Sequence, residues 1–237
     1  MKKLFVVSDI HGHYTLMKEA LDRAGFDKEN PEHLLICCGD YFDRGTENQQ
    51  VLRFFQRLKH KVLLCGNHED MLLKLLDEGK LRTHHYMNGT LNTVWEFFGK
   101  YAIDPVSDRI DFSGKTGTVN NLISFIEELE DYYETEDYVF LHGWLPHNGE
   151  TEEGRKEADK EAWEESRWWR WNMEYSGERP LADKTLVCGH VPTYGAKVFQ
   201  EDRKDDDSSI FYGNGLIAID AGTATSRQGS MIHGTMP

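Results

Sequence analysis

Six short apolar runs, each breaking off into a glycine or a polar residue able to ligate metal or turn the chain, constrain this sequence more than any other feature. They are KLFVVSD (3–9), HLLICCGD (33–40), KVLLCGN (61–67), YVFLHG (138–143), TLVCGH (185–190) and LIAIDAG (216–222). Apolar runs of this length beside glycine are the mark of strands buried on both faces. Amphipathic segments follow the first three: YTLMKEALDRAGF with Leu16, Ala20, Leu21 and Ala24 on one stripe, ENQQVLRFFQRLKH with Val51, Leu52, Phe55 and Leu58, and MLLKLLDEG with Met71, Leu72, Leu75 and Leu76, closed by a glycine. The alternation β-α-β-α-β-α predicts an α/β fold.

Residues 77–131 break that rhythm. TLNTVWEFFGKY and VNNLISFIEELEDYY read as helices joined by the polar, turn-rich DPVSDRIDFSGKTGT, so this stretch is expected to be an inserted helical lobe in one domain covering residues 1–237. NGETEEGRKEADKEAWEESRWWRWNMEY is highly charged and then tryptophan-dense, and QEDRKDDDSS reads as an acidic surface loop. The end, IDAGTATSRQGSMIHGTMP, has no alternating strand pattern to close a second sheet.

A net charge of −14 argues against stable nucleic-acid binding, because no basic excess exists to displace counterions from a phosphate backbone. The start, MKKLFVVSDIHGHY, resembles a secretory leader, but its apolar run of Leu4–Val7 is too short for one, and no stretch approaches a membrane span. Cys37, Cys38, Cys65 and Cys188 sit in apolar runs without CxxC spacing, which suits small buried hydrophobes in a reducing compartment. A cytoplasmic location, with no membrane contact, is expected.

In open α/β sheets the ligand site forms beyond the carboxyl ends of the strands. If these strands share a parallel core, Asp9, His11, Asp40, Asn67, His142 and His190 converge on one crevice. Two carboxylates, three imidazoles and an amide oxygen form a mixed N/O set suited to Mn²⁺, Fe or Zn²⁺ rather than Ca²⁺, and the set exceeds one coordination sphere. Two metals ~3.5–4 Å apart can share a bridging carboxylate and clamp the attacking and leaving oxygens of a phosphoryl transfer. Asp40 is the expected bridge, with Asp43 and Arg44 further along the loop where a phosphate would dock; cations there reverse the local field of an acidic protein.

SDIHGHY, GDYFDRG, GNHED, LHGWLP and GHVPTYG occur in the order and spacing of the calcineurin-like metallophosphoesterases. Over roughly residues 3–222 the sequence resembles the bacterial phosphoprotein phosphatase branch that includes symmetrical diadenosine tetraphosphate hydrolases. The resemblance implies a two-sheet β-sandwich flanked by helices, with two metal ions, Mn²⁺ foremost, at the sheet edge. It implies that Asp9, His11 and Asp40 hold the first metal, and Asp40, Asn67, His142 and His190 the second. His68 would be the general acid oriented by Asp43, with Arg44, and by a looser match Arg170, gripping phosphate. A metal-bridging water would attack phosphorus while His68 protonates the departing oxygen. The implied substrates are a phosphorylated protein on serine or threonine, a small phosphoester, or alternatively a dinucleoside polyphosphate. Trp144 departs from the family, since HGW stands where HGG or HAG is more usual.

A lone strand-end histidine is more often structural than a ligand; six ligands in five ordered motifs reverse that expectation. His13 reads as solvent-facing or as supporting the site, Asp220 as supporting a turn, and His84, His85, His147 and His233 have no partner spacing. For Trp163, Trp168, Trp169 and Trp171, core packing is expected ahead of base stacking.

Overall fold

A computed structural model describes residues 2–200, 207–223 and 234–236. All six apolar runs form strands. β1 (Lys3–Val7), β2 (His33–Cys37) and β3 (Lys61–Leu63) pair in parallel in one sheet, and β5 (Tyr138–Phe140), β6 (Thr185–Cys188) and β8 (Leu216–Ala218) pair in parallel in another. Antiparallel strands finish the edges: β4 (Tyr133–Glu134) beside β5, β7 (Phe211–Gly213) beside β8, and β9 (Gly234–Met236) beside β1. The sheet orders are β3-β2-β1-β9 and β4-β5-β6-β8-β7.

The two-residue period of a strand explains how one apolar run serves two layers. Leu4, Val6, Leu34 and Ile36 turn toward the other sheet and cluster with Phe140, Val187 and Ile219. Their neighbours Phe5, Val7, Leu35 and Cys37 join a cluster with α1 (Tyr14–Arg23), α2 (Asn48–Arg57), α3 (Asn67–Glu78), α5 (Thr90–Phe98) and α6 (Thr116–Glu127). On the far side, Val139, Leu141, Leu186, Cys188, Leu216 and Ala218 pack with Trp163 of α8 (Lys160–Ser166) and Trp171 of α9 (Trp171–Glu174). The result is a two-sheet sandwich between helical layers. Each fully buried Val, Leu, Ile or Phe contributes ~1.5–3 kcal/mol, whereas exposed pairs such as Lys18–Asp22 add ~0–1 kcal/mol, so these three clusters hold the fold.

Three expectations change in detail. The end of the chain does contribute a strand, but β9 extends the first sheet, while the second is finished by the β7–β8 hairpin turning at Asn214–Gly215. The helix read as VNNLISFIEELEDYY is α6, which stops at Glu127, and its last two tyrosines lead into or lie in β4. The stretch 77–131 is helical, with short α4 (Thr83–Met87) ahead of α5 and α6, but isolated bridges Lys80–Arg109 and Ile103–Ile110 pin its polar middle back on itself. The charged segment ahead of the tryptophans is broken into α7 (Glu152–Glu157) and α8, capped by the Thr151 hydroxyl and the Asp159 carboxylate. Residues 201–206 of the acidic loop and His233 lie outside the described residues.

Candidate functional site

Each parallel strand ends in a loop that turns at once, and the backbone there is unusual. Eight non-glycine residues have a left-handed φ among the described residues, and six of them are Asp9 (51°), His11 (46°), Asp40 (56°), Asp43 (73°), Arg44 (64°) and His190 (65°). Such conformations cost ~1–3 kcal/mol each and persist where surrounding contacts over-determine them. Glycine permits the crowding: a β-carbon on Gly189 would run into Ser8 Oγ and Asp9 Oδ2, and one on Gly39 would lie 2.7 Å from the Gly66 Cα and 2.8 Å from His142 Nδ1.

Asp40 stands at the centre. Its Oδ2 lies 3.5 Å from His11 Nε2 and 3.9 Å from His68 Nε2, and its Oδ1 lies 3.4 Å from His142 Nε2. Two groups therefore share this carboxylate, His11–Asp40–His68 and Asp40–His142–His190, each with its potential ligand atoms within 4.8 Å of one another. Asp9 belongs to neither triad by that measure, but its Oδ2 accepts the His190 backbone N–H at 2.9 Å, which ties it to the second. Asn67, the first residue of α3, brings its side-chain oxygen 2.9 Å from His142 Nε2.

The donor set fits divalent metal ions. His11 Nδ1 faces the Phe42 carbonyl at 2.9 Å and His142 Nδ1 faces the Cys38 carbonyl at 2.7 Å. A carbonyl only accepts, so both Nδ1 atoms carry the proton, and in the neutral rings the Nε2 lone pairs are directed at other acceptors. Asp9 Oδ1 is buried with no hydrogen-bond partner among the described residues. Lone pairs gathered without hydrogens between them are what a cation relieves.

The electrostatics agree. Burial pushes the His11 imidazole well below its ordinary range and His190 down to about 3, which keeps both neutral. Burial also raises Asp9, helped by the neighbouring Asp40 charge. Asp40 is pushed up by burial too, but the imidazoles of His142, His68, His11 and His190 outweigh that and hold its carboxyl far below the usual range.

His68 is held differently. Its Nδ1 lies 2.7 Å from Asp43 Oδ2, and its backbone N–H, at the start of α3, donates to Asp40 Oδ1 at 3.1 Å. Burial alone would lower its pKa, yet Asp40 and Asp43 raise it to about 9. Arg44, exposed at the rim, brings Nη2 3.3 Å from His68 Nε2, so two cationic groups face one spot that an anion would satisfy.

Arg170 stands at the start of α9, where its carbonyl accepts the Met173 and Glu174 N–H groups, and its exposed side chain makes no hydrogen bond or ion pair among the described residues. The guanidinium buried in that region is Arg167, which binds Asp70 through both carboxylate oxygens and also pairs with Asp131. Trp163 and Trp171 are core residues, but Trp168 is 47% exposed, its ring roughly perpendicular to that of His190 with 6.5 Å between centroids. Trp144 is half-buried against the second-sheet core. Asp220 accepts the Gly222 N–H, and His13 faces the Ile10 carbonyl.

Two features went unread in the sequence. Glu69 is fully buried and accepts the backbone N–H groups of Asp40, Gly66 and Tyr41, bracing the GDY and GNH loops together, and burial raises its pKa to about 8. Its position three residues after Gly66, at the start of a helix, is the spacing of a capping carboxylate and could have revealed it. Thr90 and Thr93 of α5 donate to Asp43 from far along the chain, and no local pattern marks them.

The family model for calcineurin-like phosphoesterases matches residues 2–219. Serine/threonine-protein phosphatase 2 of Salmonella typhimurium is 26% identical over 169 residues, covering 70% of this chain and 69% of that protein. The symmetrical bis(5'-nucleosyl)-tetraphosphatase of Wigglesworthia glossinidia brevipalpis is 36% identical over 72 residues, 30% of this chain, and the match spans only 26% of that protein's length. Among solved structures, a provisionally named diadenosine tetraphosphatase superposes with a TM-score of 0.55 at 16% identity, covering 99% of this chain and 93% of its own. A cold-active protein-tyrosine phosphatase of a psychrophilic Shewanella gives 0.51 at 16%, covering 94% and 72%. Likenesses at that identity speak for the fold alone.

Proposed function

The chain belongs to the calcineurin-like phosphoesterase family, and on that premise we propose that it is a dimetal-dependent protein phosphatase acting on phosphoserine and phosphothreonine. The observation that carries this reading is the pair of His/Asp triads sharing Asp40, with Arg44 and His68 directed at one spot beside them. Asp9, His11 and Asp40 would hold one metal and Asp40, Asn67, His142 and His190 the other; the mixed N/O set favours Mn²⁺, with Fe or Zn²⁺ also suited. Bound there, such metals supply Lewis acidity toward the phosphoryl oxygens and a nucleophilic water.

The chain's own groups divide the remaining work. Arg44 docks the phosphate through its guanidinium. Asp43 accepts from His68 Nδ1 and so directs Nε2 outward, where a protonated ring donates to the departing seryl oxygen. Arg170 is retained as a phosphate ligand only in the sense that its exposed side chain is free to reach a bound substrate. Residues 1–237 are taken as one catalytic domain, with about 77–131 inserted in it. No helix among the described residues is long and apolar enough to cross a membrane, and four buried, unpaired cysteines support a reducing, cytoplasmic setting.

A second reading, hydrolysis of dinucleoside polyphosphates, is favoured by Trp168, whose exposed face beside His190 offers a base a stacking surface. Rates under Mn²⁺ on phosphoserine peptides, p-nitrophenyl phosphate and diadenosine tetraphosphate decide between them. Preference for the peptide supports the first reading, and preference for the dinucleotide overturns it in favour of the second.

A further inference from the structure

We infer that the helical stretch between β3 and β4 supports the chemistry directly: Thr90 and Thr93 of α5 are positioning residues that fix the Asp43 carboxylate behind His68. Asp43 Oδ2 accepts from His68 Nδ1 at 2.7 Å and from Thr90 Oγ1 at 2.9 Å, and Oδ1 accepts from Thr93 Oγ1 at 2.7 Å. Thr93 Oγ1 also accepts the backbone N–H of Asp43 at 2.9 Å, so one hydroxyl holds both ends of the residue, its single proton going to the carboxylate. All three residues are 0% exposed.

A helical threonine commonly returns its hydroxyl to a carbonyl of its own helix. Here both hydroxyls leave the helix for the same carboxylate. The rest of the α5 amino end follows them. The Gly89 carbonyl accepts from Arg44 N at 3.1 Å, Asn92 Nδ2 donates to the Arg44 carbonyl at 2.6 Å, and Glu96 Oε1 accepts from Asn48 N at 3.1 Å and from its side chain at 2.6 Å. Asn48 in turn accepts from Asp43 N at 3.0 Å. A β-carbon on Gly89 would lie 2.8 Å from the Arg44 Cα, so the helix is seated against the loop without slack.

The physical effect is to remove the rotation of one carboxylate. With donors on both oxygens, the plane of Asp43 is set, and with it the direction of the His68 ring. Valine has the shape of threonine without the hydroxyl. It would leave the helix packed and the carboxylate free to turn.

The inference rests on the reading of His68 as the group that protonates the departing oxygen, and the test separates the two. Thr90→Val, Thr93→Val, the double variant and the corresponding Thr→Ser variants are assayed with Mn²⁺ on an alkyl phosphate and on p-nitrophenyl phosphate. Metal content and melting temperature are measured on the same preparations, with His68→Asn alongside. The double valine variant is expected to keep its metals and lose ~10–100-fold in kcat on the alkyl phosphate. On the aryl phosphate, whose leaving group barely needs the proton, it should lose less than about threefold, and the serine variants should stay near the parent on both. If His68→Asn changes the ratio of the two rates and the valine variants do not, the positioning role is overturned while the reading of His68 stands. If His68→Asn leaves the ratio unchanged, that reading fails and the inference falls with it. Equal losses on both substrates, or loss of metal in the valine variants, would make the threonines merely structural; should the double variant not fold, the single variants make the same comparison.

Discussion

His142 reaches two oxygens from opposite sides of its ring: Nε2 lies 2.9 Å from the Asn67 amide oxygen, while Nδ1 is committed to the Cys38 carbonyl at 2.7 Å. A metal cation seated between Nε2 and the amide oxygen would satisfy both at once. Metal-saturated protein should therefore hold two ions per chain by elemental analysis, and chelation should abolish activity. An active, saturated sample with one ion or fewer would contradict the site. Metal at 100 times its dissociation constant should also stabilise the fold by ~2.7 kcal/mol over the chelated protein, seen as a rise in melting temperature.

Asp40 and Asp43 are three residues apart but differently occupied. Asp43 has both oxygens filled by His68, Thr90 and Thr93, whereas Asp40 turns both oxygens toward imidazoles of the cluster. Asp40→Asn is expected to lower metal content well below that of Asp43→Asn, which should keep its metals and lose ~10–100-fold in turnover of an alkyl phosphate. Equal metal loss in the two variants would sink the distinction.

The His68 pKa of about 9 sets a pH limit. As a proton donor it must be charged, so turnover of an alkyl phosphate should fall as pH rises through the His68 pKa, which metals on Asp40 would bring below the metal-free value of about 9 by offsetting the charge that raises it most. Asp43→Asn removes part of what raises that pKa and should move the fall to lower pH. The linked stability has the same sign: in chelated protein the His68–carboxylate interactions stabilise fully below the ordinary value of 6.5 and are lost as pH rises through about 9. Melting temperatures of the chelated protein across that range, compared with His68→Asn, test it.

The tryptophans separate by burial. Trp171 is 0% exposed, stacks on Phe211 at 5.1 Å and donates its indole N–H to the Val191 carbonyl, so Trp171→Ala should cost ~3–5 kcal/mol in urea denaturation. Trp168→Ala should cost within ~0.5 kcal/mol, as surface substitutions do. If the dinucleotide reading holds, that same substitution should raise KM for diadenosine tetraphosphate several-fold; unchanged KM would remove the support that Trp168 lends it.

The six strands and the polar residues that end them were legible because buried parallel strands must be apolar throughout and must stop abruptly, and at each stop the polar residue is conspicuous. β9 was not, because no periodic pattern fits in the three residues Gly234–Met236. The broken helices α7 and α8 were hidden in a charge-rich run whose signals are single capping side chains, Thr151 and Asp159. Thr90 and Thr93 were illegible for a different reason. Their partner Asp43 is 47 and 50 residues away, and only the packed fold brings a threonine to a carboxylate over that separation. Arg170 and Arg167 show the limit of residue type as a guide: of two arginines in SRWWR, the sequence motif favours the one left in solvent, and the fold buries the other against Asp70.

The left-handed turns at Asp9, His11, Asp40, Asp43, Arg44 and His190 bear on how this protein can change. Glycine would relax the backbone at each of them, but at Asp43 it would strand the buried donors of His68, Thr90 and Thr93, so it is at the other five that selection for a tougher fold and selection for turnover pull in opposite directions. A laboratory lineage screened for heat resistance alone should gather its gains there and drift toward an inert scaffold. One kept under both pressures should leave those turns untouched and gather its stabilising changes in the helical layers.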